Sequence, residues 1–144
     1  MKSVKDVMTK DVEIINPNSS LKDAAEKMRT LNVGPLPVCD NDKLTGIITD
    51  RDIVVRAVSQ GMDPAKTPVS KAMTDQVEYV YEDEDISKVS RKMKDEQIRR
   101  LLVVNREKRL VGIISLGDIS EAMDAQEAGE TLESISEPSH PSTH

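Results

Sequence analysis

The sequence predicts a mixed α+β fold of two pseudo-symmetric repeats, each a small sheet carrying helices on one face, with the two packed through their sheets. Three observations predict it. GIITDRDIV at residues 46–54 returns as GIISLGDIS at residues 112–120. Apolar residues fall at helical spacing over about 21–31 and 86–96, and in short strand-like runs between those stretches and each repeated phrase. Each copy is about 55 residues, too short to bury its own apolar surface well, so the two copies should share a core.

The repeat extends well beyond the shared phrase. VKDVMTKDVEII (4–15) aligns with VSKAMTDQVEYV (69–80), pairing Met8 with Met73, Thr9 with Thr74, Val12 with Val77 and Glu13 with Glu78. Leu21 then meets Ile86, Met28 meets Met93, and PLPV (35–38) meets RLLV (100–103). One extra residue in the turn NREKRL advances the register, after which Gly46, Ile47, Ile48, Asp52 and Ile53 meet Gly112, Ile113, Ile114, Asp118 and Ile119. Self-similarity at such a period is the mark of a duplicated supersecondary unit.

The elements follow in order. Ser20 and Asp23 have the S-x-x-D form of a capping box, and Leu21, Ala24, Ala25, Met28 and Leu31 line one face of a helix over about 21–31. In the second copy Asp85 can cap a helix over about 86–96, and the acidic run EDED (82–85) suits the positive end of that helix. After each helix come a strand (VGPLPVC, IRRLLVV), a polar turn (DNDK, NREKR) and a second strand (LTGIIT, LVGIIS), which reads as a hairpin. A further helix follows in each copy: DRDIVVRAVSQ, stopped at Gly61, and LGDISEAMDAQ, fading near Gly129. The division is therefore a first repeat over 1–61, a linker over 62–68 bearing Pro64 and Pro68, a second repeat over 69–126, and a tail over 127–144. The tail ends in SEPSHPSTH and is expected to be disordered.

Composition narrows the function. The 144 residues carry a net charge of −6, with no Trp, no Phe and only Tyr79 and Tyr81 as aromatics. A negative chain with so few stacking faces is ill-suited to nucleic acid, double- or single-stranded. No apolar run approaches a membrane span, and the start MKSVKDVMTKDV lacks the apolar core of a signal peptide, so a cytoplasmic protein with no membrane contact is expected. Cys39 is the sole cysteine and sits in the apolar run LPVC, where a buried hydrophobe is the expectation. His140 and His144 lie in the tail without ligand-spaced neighbours, so no metal site is expected.

The polar half of the repeated phrase carries the chemistry. Thr49 and Ser115 close their strands, and Asp52 and Asp118 stand three residues later in the first turn of a helix. A hydroxyl, a carboxylate and unpaired helix N–H groups at one place suit a ribose phosphate. The same T-x-x-D spacing is also an ordinary N-cap signature, and the residues alone leave both readings open. A calcium loop over Asp40, Asp42 and Gly46 fails because Arg51 occupies the position of the closing glutamate. Asp50 and Asp52 diverge from a helix start, no His lies in the repeats and no P-loop appears, so an enzyme is not expected.

The order M-T, helix, an L-P-V-V-like run, then L-x-G-I-I-[ST]-x-x-D-I, found twice, resembles the CBS domain over about residues 4–124, here as a tandem pair (a Bateman module), and a stand-alone module without a fused effector domain is expected. The resemblance implies a regulatory, energy-sensing module. It would bind an adenine nucleotide (AMP, ADP, ATP or S-adenosylmethionine) in the cleft between repeats, form a disc-like homodimer and signal to a partner protein in trans. It implies that Asp52 and Asp118 hold ribose hydroxyls beside Thr49 and Ser115. Val33, Gly34 and Pro35, with Ile98, Arg99 and Arg100, would line the base and phosphate region. Arg99 and Arg100 are bidentate-capable phosphate donors where the first copy has Gly34 and Pro35, and Arg51 stands where the second has Gly117. A single cleft drawing arginines from both copies is the expected arrangement, with no covalent cofactor. The choice of nucleotide and the need for magnesium stay open. The competing reading is a ligand-independent structural or interaction dimer in which the loops are only caps; a minor catalytic role on a nucleotide is a third.

Overall fold

Two helix starts written into the sequence form as expected. In the computed structural model, which describes residues 2–135, helix α1 (Val4–Val7) is followed by α2 (Leu21–Leu31). The Ser20 hydroxyl accepts from the Asp23 backbone N–H at 3.1 Å to open α2, whose buried face is Leu21, Ala24 and Met28. Strands β1 (Pro35–Asp40) and β2 (Lys43–Thr49) form an antiparallel hairpin in which Pro35 opposes Thr49 and Val38 opposes Gly46. Asn41 and Asp42 both take positive φ, 51° and 68°, the backbone that a tight two-residue hairpin turn requires and that Asn and Asp tolerate.

The second copy repeats the plan. Strand β3 (Tyr79–Tyr81) pairs in parallel with β4 (Arg100–Val104), and β5 (Leu110–Ser115) lies on the other side of β4. Between them α4 (Ile86–Glu96) buries Ile86, Val89 and Met93, and the Asp85 carboxylate accepts from the Ser87 N–H at 2.8 Å. The two tyrosines sit on β3, where Arg106 lies 4.1 Å over the Tyr81 ring. Arg106 also grips Asp83 through two N–H donors at 3.0 and 2.9 Å, which holds that carboxyl below the usual carboxylate range.

The helices after the hairpins depart from expectation. DRDIVVRAVSQ is not one α-helix: an α turn, α3 (Asp50–Asp52), passes into a π-wound stretch Ile53–Ala57 and a 3-10 turn Val58–Gln60 before Gly61, at φ 71°, stops it. The run Ile53–Val54–Val55 is β-branched and crowds a regular α-helix. The winding keeps Ile53 and Ala57 buried while Val54, Val55 and Val58 stay more than half exposed. In the second copy α5 (Leu116–Ile135) runs past Gly129, so residues 127–135, taken from the sequence as part of a disordered tail, are helical. One glycine costs a helix interior only about 1 kcal/mol, and Glu127, Ala128 and Glu130 around it are good helix formers. The rest of that tail, 136–144, lies outside the described residues.

The chain folds as two compact units that do not follow the linear order of the repeats. Among the described residues, one holds the N-terminal stretch to Val12, Tyr79–Arg106 and the strand and helix from Val111; the other holds Glu13–Glu78 with Glu107–Leu110. The leading segment of each copy thus belongs to the unit built on the other copy's hairpin. In the first unit Val4 joins a core with Val80, Val89, Met93, Leu101, Val103, Ile114 and Ile119, with Met8 packed against it. In the second, Val69 and Ala72 join Leu21, Met28, Leu36, Val38, Ile48 and Ile53, with Met73 packed against them.

The same hydrogen bonds hold both leading segments. The Val4 N–H donates to Glu84 O at 2.9 Å, and the Val69 N–H donates to Ser19 O at 2.8 Å. Thr9 exchanges two backbone hydrogen bonds with Ile113, and Thr74 exchanges two with Ile47, all between 2.8 and 3.0 Å. This is why the shared phrase has a glycine. A Cβ on Gly112 would lie 2.7 Å from Thr9 O and 2.7 Å from Met8 Sδ, and one on Gly46 would lie 2.6 Å from Thr74 O.

Gly112→Ala and Gly46→Ala should therefore each cost about 1–3 kcal/mol by driving a methyl into a backbone carbonyl, read as a lowered midpoint in urea unfolding. Cys39, only 2% exposed and with its thiol pushed up to about 11 by burial and then by Asp42, should react slowly with an aromatic disulfide reagent at pH 8 and fast once unfolded.

Candidate ligand-binding loops

Each strand-to-helix junction is a closed capping box. In the first loop the Asp52 N–H donates to the Thr49 hydroxyl at 3.0 Å, and the Thr49 N–H donates to Asp52 Oδ2 at 3.1 Å. In the second the Asp118 N–H donates to the Ser115 hydroxyl at 3.0 Å, and the Ser115 N–H donates to Asp118 Oδ2 at 3.1 Å. The cap reading of T-x-x-D is realised in both copies.

The cap does not exhaust the acid. A carboxylate offers about four lone-pair sites on two oxygens, and the box uses one oxygen, so Oδ1 keeps its capacity to accept from a ligand hydroxyl. The box also fixes the carboxylate's rotation, so an ordering cost that binding would otherwise carry is already met by the fold.

The structure brings the other sequence-predicted residues of each copy to the same junction. In the first, Gly34 O accepts from the Asp50 N–H at 3.1 Å and Pro35 opposes Thr49, which places Val33, Gly34 and Pro35 beside Thr49, Arg51 and Asp52. A Cβ on Gly34 would sit 3.3 Å from an Asp50 carboxylate oxygen, a close contact that this exposed side chain can relieve by turning. In the second, Arg99 O accepts from the Leu116 N–H at 2.8 Å, which places Ile98, Arg99 and Arg100 beside Ser115 and Asp118. Ile98 packs on the core, whereas Arg51, Arg99 and Arg100 are exposed. Their side chains have no hydrogen bond or ion pair among the described residues, so their donors are available to an anion.

Four further residues belong to these junctions. Asp118 lines a shallow groove of about 250 Å³ with Val7, Glu121 and Ala122. In the first loop Arg56 brings Nε to 3.9 Å from Asp52 Oδ1 and donates through Nη1 to Met73 O at 3.1 Å and Ala72 O at 3.4 Å. Arg56 and Asp52 are an i, i+4 pair, a spacing visible in the sequence. Val7 carries no such signal, because only the exchange of leading segments places it near Asp118. Among the described residues no group of three or more His, Cys, Asp or Glu stands together to hold a metal ion, and no helix is long and apolar enough to cross a membrane.

Residues 4–59 and 69–125 each match the CBS domain, so the fold and its two loops define a CBS domain pair, and the chain belongs to that family. Hypoxic response protein 1 of Mycobacterium tuberculosis (strain H37Rv) is 32% identical over 139 residues, covering 96% of both chains. The crystal structure of Hypoxic Response Protein I, with two coordinated zinc ions, is 34% identical and covers 85% of this chain and 99% of its own at a TM-score of 0.73. The structure of CBSX2 in complex with AMP is 26% identical, covers 88% and 99%, and has a TM-score of 0.72. The CBS domain pair of MJ0100, in complex with 5′-methylthioadenosine and S-adenosyl-L-methionine, is 33% identical, covers 88% and 98%, and has a TM-score of 0.66.

Removing either hydroxyl cap, by Thr49→Ala or Ser115→Ala, should cost about 1 kcal/mol, with Thr49→Ser and Ser115→Thr near wild type in the same denaturant titration.

Proposed function

We propose that this chain is a regulatory module that binds an adenine nucleotide (AMP, ADP, ATP or S-adenosylmethionine), works as a homodimer and signals to a partner protein in trans without catalysing a reaction. The observation that carries the proposal is the pair of capped carboxylates, each with one oxygen spent on the cap and the other outside it, facing Arg56 Nε at 3.9 Å at Asp52 and making no hydrogen bond or ion pair among the described residues at Asp118. Two structurally similar CBS proteins hold AMP or S-adenosylmethionine, which supports adenosine as the common part of the ligand. In this reading Val33, Gly34, Pro35 and Ile98 contribute apolar and backbone contacts to adenine. Arg51, Arg99 and Arg100 offer guanidinium donors that have no partner among the described residues to phosphate oxygens. Signalling follows if the ligand favours one arrangement of the module over another, since only differential affinity shifts an equilibrium.

A second reading has its own support. Both boxes are closed by protein groups alone, as a purely structural or interaction dimer would require.

A thermal-shift panel of AMP, ADP, ATP and S-adenosylmethionine, with and without magnesium, separates the two. A ligand at a hundred times its dissociation constant adds about 2.7 kcal/mol to the folded state, which a domain of this size shows as several degrees. A shift with one of these ligands is expected, reduced in Asp52→Asn or Asp118→Asn. No shift with any of them, in a folded protein, leaves the loops as caps.

A further inference from the structure

Methionines stand at three depths in the described residues. Met62 and Met123 are exposed, at 37% and 42%, whereas Met28 and Met93, at 6% and 0%, are enclosed in the two units. Met8 and Met73, which the duplication aligns, lie between these extremes: each packs against the core of its own unit and keeps part of its surface in water. Both sulfurs occupy the same place. A Cβ on Gly112 would meet Met8 Sδ at 2.7 Å and Thr9 O at 2.7 Å, and a Cβ on Gly46 would meet Met73 Sδ at 3.1 Å and Thr74 O at 2.6 Å. In each copy the thioether and the carbonyl of the next residue therefore share the bare face of the strand glycine. That carbonyl is one that seats the leading segment, accepting from the Ile113 N–H at 3.0 Å in one copy and from the Ile47 N–H at 2.9 Å in the other.

We propose that Met8 and Met73 are a matched pair of oxidation sites, at which a peroxide converts the thioether to a sulfoxide and unseats the leading segment from the hairpin it covers. In the step a sulfur lone pair attacks one oxygen of hydrogen peroxide. The S–O bond forms as the O–O bond breaks, sulfur is oxidised by two electrons, and the second oxygen takes the proton of the first and leaves as water. A thioether is a weak acceptor and tolerates the neighbouring carbonyl, but a sulfoxide oxygen is polar and accepts strongly. On the glycine face it meets the threonine carbonyl, a second acceptor, and the N–H at hand is the one that carbonyl already uses. The new oxygen either stays unsatisfied, takes the Ile113 or Ile47 N–H and breaks the bridge, or turns to water and draws the side chain off the core. Each course weakens the hold on the segment that brings Val4 to one core and Val69 and Ala72 to the other. Because the arrangement is duplicated, one oxidant acts on both units, and because sulfoxides are reducible the change can be undone. Neither carboxylate loop takes part, so the device is independent of nucleotide binding.

Graded treatment of the full chain with hydrogen peroxide tests this, with oxidation mapped residue by residue by peptide mass spectrometry and opening read by amide hydrogen exchange and urea unfolding. The expected order of oxidation is Met62 and Met123 first, Met8 and Met73 next, Met28 and Met93 last. Amide exchange at Ile47 and Ile113 should rise about tenfold, and the unfolding midpoint fall, in step with Met8 and Met73 and not with Met62 and Met123. Methionine sulfoxide reductases of both epimer specificities should restore both readings. The variant Met8→Leu/Met73→Leu, nearly conserved in volume, should hold its exchange and midpoint through the same dose, while Met62→Leu/Met123→Leu responds like wild type. Met8 and Met73 as resistant as Met28 and Met93 in the folded chain, or oxidised with exchange at Ile47 and Ile113 unchanged, overturns the proposal. Both outcomes are read in the wild-type time course, so the answer stands even if the leucine variant fails to fold. Opening that instead follows oxidation of Cys39 in the same maps also overturns it.

Discussion

The structure depends on the seating of each copy's leading segment in the unit built on the other copy's hairpin. The contact is a two-hydrogen-bond bridge, Thr9 with Ile113 and Thr74 with Ile47, passing over a glycine in each case. Without it the cores would lose Val4 on one side and Val69 and Ala72 on the other, all of them fully buried. Each unit is small enough that losing a few buried side chains matters, because net stability is a small difference between large opposing quantities.

That seating also shapes the loops. The strand carrying Gly46 and Ile47 ends at Thr49, and the strand carrying Gly112 and Ile113 ends at Ser115, so the bridge fixes the strand from which each acid is presented. The same segments supply the neighbours that make the two acids unlike. Ala72 and Met73 give Arg56 its carbonyl partners, and Val7 lines the groove at Asp118. The duplicated sequence therefore sets up matching hydrogen bonds, and what stands four residues along the helix and on the incoming segment makes the environments diverge.

The capping boxes bear on how function and folding share residues. A carboxylate used only as a cap would be as well placed in water, and one used only as a ligand would have to be ordered at binding. Here one oxygen closes the cap, and the hydrogen bonds that start the helix also orient the other oxygen, the one the proposed function assigns to a ligand. In the proposed function a change at Asp52 or Asp118 therefore acts on helix start and ligand acceptor together, whereas a change at Arg99 or Arg100 leaves both capping boxes as they are.

Much of the fold was legible because its signals are local. The bounds 21–31 and 86–96, the Ser20 and Asp85 caps, the hairpin turns and the T/S-x-x-D loops rest on interactions within a few residues, which spacing and side-chain type state directly. The repeat was legible because duplication preserved register. Local signals also misled: a β-branched run read as plain helix winds as π, and Gly129 does not end α5. By itself the sequence determined the two amphipathic helices, the hairpin strands, the duplication and the pair of capped acids; the short helix Val4–Val7 and the strand Tyr79–Tyr81 carry too few residues to show a period. Only the tertiary structure decided which leading segment enters which core, that Val7 and not a nearer residue faces Asp118, and that Arg56 is anchored against Asp52. Those facts depend on contacts between residues far apart in the chain, and no spacing rule encodes which of several compatible apolar segments will fill a given core.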